Sequence, residues 1–158
     1  MKLKVFDNLV SSSHQIQIYE YCMNLDWVED NDYPMYYVFS QEELEKIGLF
    51  KYILDCMDNT SWFTRKKFYR SCLNISKSNT QHFIHTHFED AILYYANPDW
   101  NDEQCGQTFF YDNQKNIEFT SSYTPGRILL FDGSIPHDIK PPPVTGPKYR
   151  LTINTFFR

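Results

Sequence analysis

Three side chains that can bind a metal ion occupy alternate positions in one short stretch of the chain: His85, His87 and Glu89. On an extended strand, residues i, i+2 and i+4 project from the same face, so one strand would direct all three towards one cavity. Only two neighbours can bind the same ion, because four residues of strand span about 13 Å and a ligand bond is about 2 Å long. The stretch therefore offers either His85 with His87, or His87 with Glu89.

A third metal ligand has to come from a distant part of the chain. His137, within GSIPHDI, is the best placed of the remaining histidines. Asp132 and Asp138 lie beside it and are expected either to orient its second ring nitrogen or to occupy turns. Histidines on strands are also often simply hydrogen-bonded or exposed, so spacing alone indicates a candidate site and not the identity of an ion.

The length and composition of the chain limit the number of domains, the fold class and the kinds of partner that are expected. The chain has 158 residues, 18% of them aromatic, and a formal charge of −5. A chain of this length is expected to form one domain over residues 1–158, with a helical part over about 1–60 and a β core over about 61–158. The aromatic content favours a β-rich fold, and the negative charge argues against general nucleic-acid binding.

The cysteines and the apolar segments indicate the compartment. Cys22, Cys56, Cys72 and Cys105 are widely spaced and form no Cys-x-x-Cys pair, which is typical of reduced thiols. No run of about 18 apolar residues occurs, and the first residues lack the apolar core of a signal peptide. We therefore expect a cytoplasmic protein without a membrane segment.

Two helices are predicted in the N-terminal part. Ser12 with Gln15, and Ser40 with Glu43, have the spacing of a capping box, in which two side chains bind the free N–H groups of a helix start. The second helix contains Gly48, where it is expected to break if it breaks at all.

Beyond residue 61 the helical period gives way to strand-like runs separated by Gly, Pro, Asn and Asp. The runs are KKFYRSCLNIS, HFIHTHF, AILYYA, QTFFYD, IEFTSSY, GRILLFD and YRLTINTFF. Short strands with no helix between them indicate an antiparallel barrel or jelly roll. The fold class is therefore mostly β (α+β), with the two helices packed outside one sheet and a further short strand over 3–6.

The order of these segments resembles the prolyl-hydroxylase type of Fe(II)- and 2-oxoglutarate-dependent oxygenases, and small phage-borne members look most similar. The resemblance rests on HTH, LYYANPDW, CGQTFFYD, PGRILLFDGSIPH and KYRLTINTFF, from about Arg70 to the end of the chain. It implies a double-stranded β-helix, or jelly roll, that holds Fe(II) through a His-x-Asp pair and a distant His, with three coordination positions open. It also implies decarboxylation of 2-oxoglutarate coupled to oxidation of a C–H bond, with ascorbate as an optional accessory.

The resemblance assigns roles to individual residues. His85 matches the first metal ligand, and His137 matches the distal one. Arg150, followed by Thr152, matches an Arg-x-Ser/Thr pair that binds the far carboxylate of 2-oxoglutarate, because a guanidinium meets a carboxylate through two parallel hydrogen bonds. Tyr95 matches a tyrosine whose hydroxyl joins that arginine. No catalytic residue beyond the metal ligands is implied.

One ligand position departs from the family pattern. His87 stands where the family has Asp, so the ligands are His85, His87 and His137, unless the register shifts by two and Glu89 restores a carboxylate. Asn74 precedes His85 by 11 residues, similar to the family's spacing from an asparagine of the preceding strand, and we expect it to line the co-substrate site. Three neutral imidazoles leave the ion one positive charge higher than a set that contains a carboxylate.

Three functions are consistent with these residues. The first is a dioxygenase that hydroxylates a protein or peptide side chain, with proline as the usual target of the family. The second is a cupin-like metalloenzyme with three histidine ligands that does not use 2-oxoglutarate. The third is a jelly-roll binding or structural module without catalysis. Arg150 discriminates between the first two, because only the first requires an anion clamp.

A basic cluster precedes the histidine stretch. It comprises Arg65, Lys66, Lys67 and Arg70. Such a cluster is typical of a solvated strand end, and a docking site for an acidic substrate is the alternative.

Overall fold

The computed structural model describes residues 1–29, 33–63 and 67–158. Its elements are β1 (Leu3–Phe6), α1 (Ser12–Met23), β2 (Met35–Phe39), α2 (Gln41–Lys46), α3 (Phe50–Asp58), β3 (Phe68–Ser76), β4 (Asp90–Tyr95), β5 (Thr108–Tyr111), β6 (Ile117–Ser121), β7 (Ile128–Phe131), β8 (His137–Ile139) and β9 (Arg150–Phe157). A turn of 3₁₀ helix, Asp102–Gln104, precedes β5. The described ranges are thus mostly β, as predicted.

The strands form two antiparallel sheets. The large sheet has the order β1-β7-β4-β9-β3-β2, and the small sheet has the order β6-β5-β8. The last strand, β9, lies between β3 and β4, so strands that are distant in sequence are neighbours in space. This interleaved antiparallel arrangement confirms the prediction of a jelly roll.

The large sheet separates two clusters of buried side chains, because successive residues of a strand point to opposite faces. On β9, Leu151 and Ile153 belong to the apolar core that the helices cover. Phe156 belongs to the second cluster, which faces the small sheet. Thr152 shares that inner face with Phe156, so the polar residues of β9 lie between the two sheets.

The helices cover the outer face of the large sheet. The capping box of α2 is confirmed: Glu43 N donates to Ser40 Oγ at 3.1 Å, and Ser40 N donates to Glu43 Oε2 at 3.1 Å. The first helix begins one residue earlier than predicted, since Ser11 Oγ caps it by accepting from His14 N. Within the described residues, no helix is both long and apolar enough to cross a bilayer.

The predicted second helix is two helices, so the described residues contain three helices in total. Gly48 has a φ of +74°, a conformation that side chains with a Cβ rarely adopt, and it separates α2 from α3. Leu44 of α2 and Ile53 and Met57 of α3 enter the same core. The break therefore lets two short helices follow the twisted sheet.

The histidine-bearing run 82–88 is not a regular strand, contrary to prediction. Only His85 forms a β-bridge, with His137, through two backbone hydrogen bonds of 3.0 Å. A strand ladder is favoured where one face of the strand is buried. Here the side chains that alternate with the two histidines are exposed to solvent, with Ile84 42% and Phe88 95% exposed. The segment is extended, and its backbone hydrogen bonds to neighbouring segments are made at His85 and His87 instead of along a continuous ladder.

The basic cluster is described only in part. Arg65 and Lys66 lie outside the described residues, as does the predicted start of the strand that becomes β3. Lys67 and Arg70 are exposed.

Candidate metal centre and adjoining cavity

His85, His87 and His137, here called the histidine group, converge at one end of the space between the sheets. One ring nitrogen from each lies within 4.8 Å of the other two. Binding one ion through bonds of about 2 Å would draw these atoms to roughly 3 Å apart. It is the one such group of His, Cys, Asp or Glu side chains that the described residues contain.

Backbone carbonyls orient two of the three rings. His85 Nδ1 lies 2.9 Å from Phe83 O, and His137 Nδ1 lies 2.8 Å from Ile135 O. A carbonyl oxygen only accepts hydrogen bonds, so in the neutral form of either ring Nδ1 carries the proton. The lone pair is therefore on Nε2, which is the atom that these rings present to an ion.

The protein environment keeps the buried rings neutral. Burial lowers the pKa of His137 to about 3, with the neighbouring His85 and His87 adding to the effect. Burial, with the nearby His85 and Arg70, lowers the pKa of His87 to about 4. A metal binds only neutral imidazole, so protons do not compete for these two rings at neutral pH.

We predict that acid destabilises the metal-free protein before its carboxylates titrate. A histidine with a pKa far below its ordinary value takes up a proton more readily in the unfolded chain, so its contribution to stability is present above about pH 6.5 and is lost as the pH falls. Between pH 7 and pH 5, each such histidine lowers the free energy of unfolding by up to about 2 kcal/mol. Urea unfolding in EDTA at both pH values measures this loss. It should shrink in the His87→Gln/His137→Gln variant, and an equal loss in both proteins would contradict the assignment.

Glu89 lies outside the histidine group. Its Oε1 accepts hydrogen bonds from Arg158 Nη2 at 2.7 Å and Nε at 3.1 Å. These hydrogen bonds hold the pKa of Glu89 below its ordinary value. The geometry therefore favours the pair His85 and His87 over the register that uses His87 and Glu89.

Gly133 positions the histidine-bearing segment. Its carbonyl accepts from His87 N at 2.7 Å. A Cβ at this position would lie 1.9 Å from Glu89 O and 3.0 Å from His87 Cβ. The first of these contacts is with backbone, which cannot rotate away.

We expect Gly133→Ala to lower the free energy of unfolding by about 3 kcal/mol, the upper end of what overpacking costs. It should also weaken metal binding, because the segment that carries His87 has to move. Urea unfolding and metal titration measure the two effects. The neighbouring exposed Ser134, changed to Ala, serves as the control with an expected loss below about 1 kcal/mol. An unchanged unfolding midpoint in Gly133→Ala would refute the steric argument.

A cavity of about 420 Å³ extends from the histidine group along the inner face of the large sheet. Asn74 and Thr152 line it and lie opposite each other on β3 and β9. Three further lining atoms, Ser76 Oγ, His82 Nε2 and Asn154 Oδ1, are buried without a hydrogen-bond partner. Buried polar atoms in folded proteins are nearly always paired, so these atoms are suited to hydrogen-bond a polar ligand or water in the cavity.

These three lining residues were not predicted as site residues. Ser76 and Asn154 could have been found from the sequence, because each lies two positions from a predicted residue on the same strand and so faces the same side. His82 has no such signal, since it lies on a segment without regular pairing. Burial, with the charges of Arg150 and His85, lowers the pKa of His82 to about 4. A neutral imidazole therefore faces the cavity.

Arg150 lies beyond the other end of the cavity and is only 1% exposed. Its Nε donates to Gly106 O at 2.8 Å, and its Nη2 donates to Thr108 Oγ1 at 3.2 Å. The rings of Tyr95 and Tyr123 lie 5.6 and 5.2 Å from its Cζ. Burial lowers the pKa of Arg150, and it forms no ion pair with any carboxylate of the described residues. A buried cation is costly without a counter-charge, so this end of the site is suited to an anion.

Thr108 connects Arg150 and Tyr95 to the cavity. Its hydroxyl lies 2.7 Å from Tyr95 OH, which also donates to Ser121 Oγ at 3.1 Å. Thr108 and Thr152 line the cavity, whereas Arg150 and Tyr95 stand behind that wall. A carboxylate at this end would meet threonine hydroxyls first, with the guanidinium behind them. Thr108 was not predicted as a site residue.

Comparison with known proteins relates this geometry to solved structures. No family model and no curated protein sequence matches the chain. A prolyl hydroxylase from Trichoplax adhaerens, in complex with a peptide of hypoxia inducible factor, is 19% identical with a TM-score of 0.69, over 99% of this chain and 83% of that one. A prolyl-4-hydroxylase from Pseudomonas putida is 13% identical with a TM-score of 0.74, over 99% and 92%. This chain has the prolyl hydroxylase fold.

A third prolyl hydroxylase extends the comparison to a structure that contains 2-oxoglutarate. The viral collagen prolyl hydroxylase of Paramecium Bursaria Chlorella virus-1 is 12% identical with a TM-score of 0.74, over 99% of this chain and 95% of that one. The resemblance predicted from the ordered segments is thus confirmed for the fold. In this prolyl hydroxylase fold, the histidine group and Arg150 lie towards opposite ends of one cavity, with Asn74 and Thr152 between them.

Proposed function

We propose that this chain is an Fe(II)- and 2-oxoglutarate-dependent oxygenase that hydroxylates a protein or peptide side chain, with proline as the default target. In this proposal residues 1–158 form one catalytic unit, and ascorbate is an optional accessory. One observation carries it: three converging histidines line one end of a cavity, and a buried guanidinium without an acidic partner in the described residues stands directly behind Thr108 in the cavity wall. A 2-oxo dicarboxylate matches both ends, since one end chelates a metal and the other is an anion.

The donor set fits Fe(II). Imidazole is a common ligand of divalent iron, and two of the rings present Nε2 with its lone pair. When bound with 2-oxoglutarate, Fe(II) would supply the activation of O₂ for oxidation of a C–H bond. Because His87 is a neutral ligand where the resembled family has a carboxylate, an ion held by the histidine group would keep one more positive charge, which would strengthen its attraction for an anionic co-substrate.

The residues of the chain bind and orient the reactants. Arg150, with the hydroxyls of Thr108 and Thr152, would hold the far carboxylate, and Tyr95 fixes the position of the Thr108 hydroxyl. Phe131 contacts the ring of His137 with centroids 4.8 Å apart. Phe156 contacts the ring of His87 at 4.7 Å. These two rings exclude water from the inner side of the metal centre.

A peptide substrate is supported by the mouth of the cavity. Tyr33 and Phe83 line it, are 52% and 60% exposed, and have ring centroids 6.4 Å apart. Exposed aromatic rings beside a catalytic cavity suit an extended peptide. The Trichoplax adhaerens structure of the same fold contains a peptide.

A second candidate is a metalloenzyme that uses three histidine ligands and no 2-oxoglutarate. It is favoured by the absence of a carboxylate from the histidine group as the described residues place it. It leaves the buried Arg150 without a role, which is why we rank it below the oxygenase.

Anaerobic titration tests the proposal. We expect Fe(II) and 2-oxoglutarate together to produce a visible charge-transfer band that neither produces alone. Succinate, which lacks the 2-oxo group, is the control and should give no band. Metal binding without a band would favour the second candidate, and no metal binding would favour a non-catalytic module.

A further inference from the structure

We propose that the substrate carries an acidic side chain close to the residue that is modified, and that Arg70 binds this carboxylate. The inference rests on the proposed oxygenase function and names its substrate class. Docking of an acidic substrate was one of the two interpretations of the basic cluster. Arg70 is the described member of that cluster that lines the cavity.

Arg70 lies at the metal end of the cavity. It stands opposite Phe156 in the pairing of β3 with β9, and it lines the cavity. Its Cζ lies 4.4 Å from the centroid of the Phe156 ring, which is also the ring that contacts His87 at 4.7 Å. One aromatic ring is therefore in contact with both the guanidinium and a candidate metal ligand. A group bound by Arg70 would lie next to the reacting centre.

Arg70 has no acidic partner within the described part of the chain. Glu89 is close enough for the charge of Arg70 to affect its pKa, but its stronger partner is Arg158. Arg158 donates twice to Glu89 Oε1, and its Cζ lies 3.5 Å from the Tyr69 ring centroid. The charge of Glu89 is thus compensated by Arg158. The guanidinium of Arg70 is exposed and remains available to a ligand.

The charges around the loaded cavity would leave one positive charge in excess. Among the lining residues that the structure describes, only Arg70 and Asp138 carry formal charges, and Arg150 stands behind Thr108. The two charges of Fe(II) would be balanced by the two carboxylates of 2-oxoglutarate, because the histidine group is neutral. Asp138 offsets one of the two arginines. An anionic substrate would balance the other.

The excess charge is local, which defines the kind of anion. The whole chain has a formal charge of −5, so an extended polyanion such as nucleic acid would be repelled at a distance. A single carboxylate on a peptide matches the fork of one guanidinium. The exposed rings of Tyr33 and Phe83 at the mouth would contact the neighbouring peptide residues.

Labelled peptides test the inference. Three nonapeptides with a central proline, flanked on both sides by Glu, Gln or Lys, are titrated anaerobically against protein loaded with Fe(II) and 2-oxoglutarate, and binding is followed by fluorescence anisotropy. A charge-assisted pair adds roughly 1.5 to 3 kcal/mol, so the Glu peptide should bind about tenfold or more tightly than the Gln peptide. The Lys peptide should bind most weakly.

Matched variants assign the preference to one side chain. Arg70→Gln should reduce the difference between the Glu and Gln peptides to less than about twofold, and Arg70→Lys should retain part of it because it keeps the charge and loses the fork. Lys51→Gln removes an equal charge from an exposed position on α3, away from the cavity, and should retain the full preference. Loss of the preference in Lys51→Gln would mean that net charge, and not Arg70, controls binding.

The outcomes separate this inference from the oxygenase proposal. Equal binding of the Glu and Gln peptides, or no binding of any peptide, in a protein that shows the charge-transfer band overturns the acidic substrate and leaves the oxygenase intact. A Glu preference that Arg70→Gln removes, in a protein without the band, overturns the oxygenase and keeps Arg70 as an acidic-peptide site. A preference that survives Arg70→Gln overturns the role of Arg70.

Discussion

Replacing Arg150 with methionine is expected to weaken 2-oxoglutarate binding strongly while stabilising the unliganded protein. Arg150 is 1% exposed and has no counter-charge in the described residues, so its burial costs free energy until an anion arrives. The apparent affinity for 2-oxoglutarate should fall at least about 30-fold, because the loss of one partner of a buried charge pair costs roughly 2 to 5 kcal/mol. Affinity for Fe(II) should change by less than about threefold, within the usual effect of a distant substitution. Anaerobic titration of the visible band and thermal unfolding without ligands measure both effects.

Lys148→Met is the matched control for this experiment. Lys148 is exposed and lies two residues before Arg150, so the variant removes the same charge outside the site. It should leave both the band and the melting temperature close to those of the unsubstituted protein. A band that persists in Arg150→Met would refute the anion clamp. A large drop in its melting temperature would show instead that Arg150 is a structural residue.

The second prediction concerns the metal ligands. His137→Ala should lower the affinity for Fe(II) by more than about tenfold, since outright loss of a ligand should cost no less than loss of the groups that support it. Glu89→Gln should leave that affinity within about threefold, because Glu89 is paired with Arg158 and lies outside the histidine group. Anaerobic calorimetric titration with Fe(II) measures both. His85→Ala should lose affinity as His137→Ala does, because both residues belong to the histidine group. A large loss in Glu89→Gln with none in His85→Ala would instead restore the shifted register.

The variant His87→Asp tests whether the net charge of the metal-binding side chains controls binding. Its Fe(II) affinity is measured by the same calorimetric titration, and its peptide preference by the anisotropy titrations. Aspartate at this position recreates the His-x-Asp pattern and adds one negative charge beside the ion. We expect tighter Fe(II) binding and a weaker preference for the Glu peptide, because the substrate is no longer the main source of the missing charge. Unchanged affinities in this variant would contradict the charge balance described above.

The sequence predicted the parts of the fold that depend on local patterns. Alternation along YRLTINTFF places Thr152 and Phe156 on one face and Leu151 and Ile153 on the other, as the structure has them. The spacing of Ser40 and Glu43 located a helix start to the residue. The run 82–88 was mispredicted as a strand, because its alternation reflects two candidate ligands and not a buried face.

The choice between His85 and Glu89 was beyond the sequence, because alternate positions are equivalent in a strand pattern. The structure distinguishes them through two long-range contacts. The backbone of His85 forms a β-bridge with the backbone of His137. The side chain of Glu89 accepts a hydrogen bond from Arg158, which is 69 residues away in the sequence. Neither contact can be predicted from the spacing of nearby residues along the sequence.

The alternation of neighbouring residues therefore determined which side chains face inward, whereas the tertiary structure determined which residues those side chains contact. Hydrophobic alternation is a property of neighbouring residues and can be read along the chain. The burial of Arg150 against Gly106, 44 residues earlier, and the approach of Arg70 to the ring beside His87 arise only when β3, β4 and β9 pair. The electrostatics of the site depends on these distances, because the interaction between charges depends on separation in space and on burial.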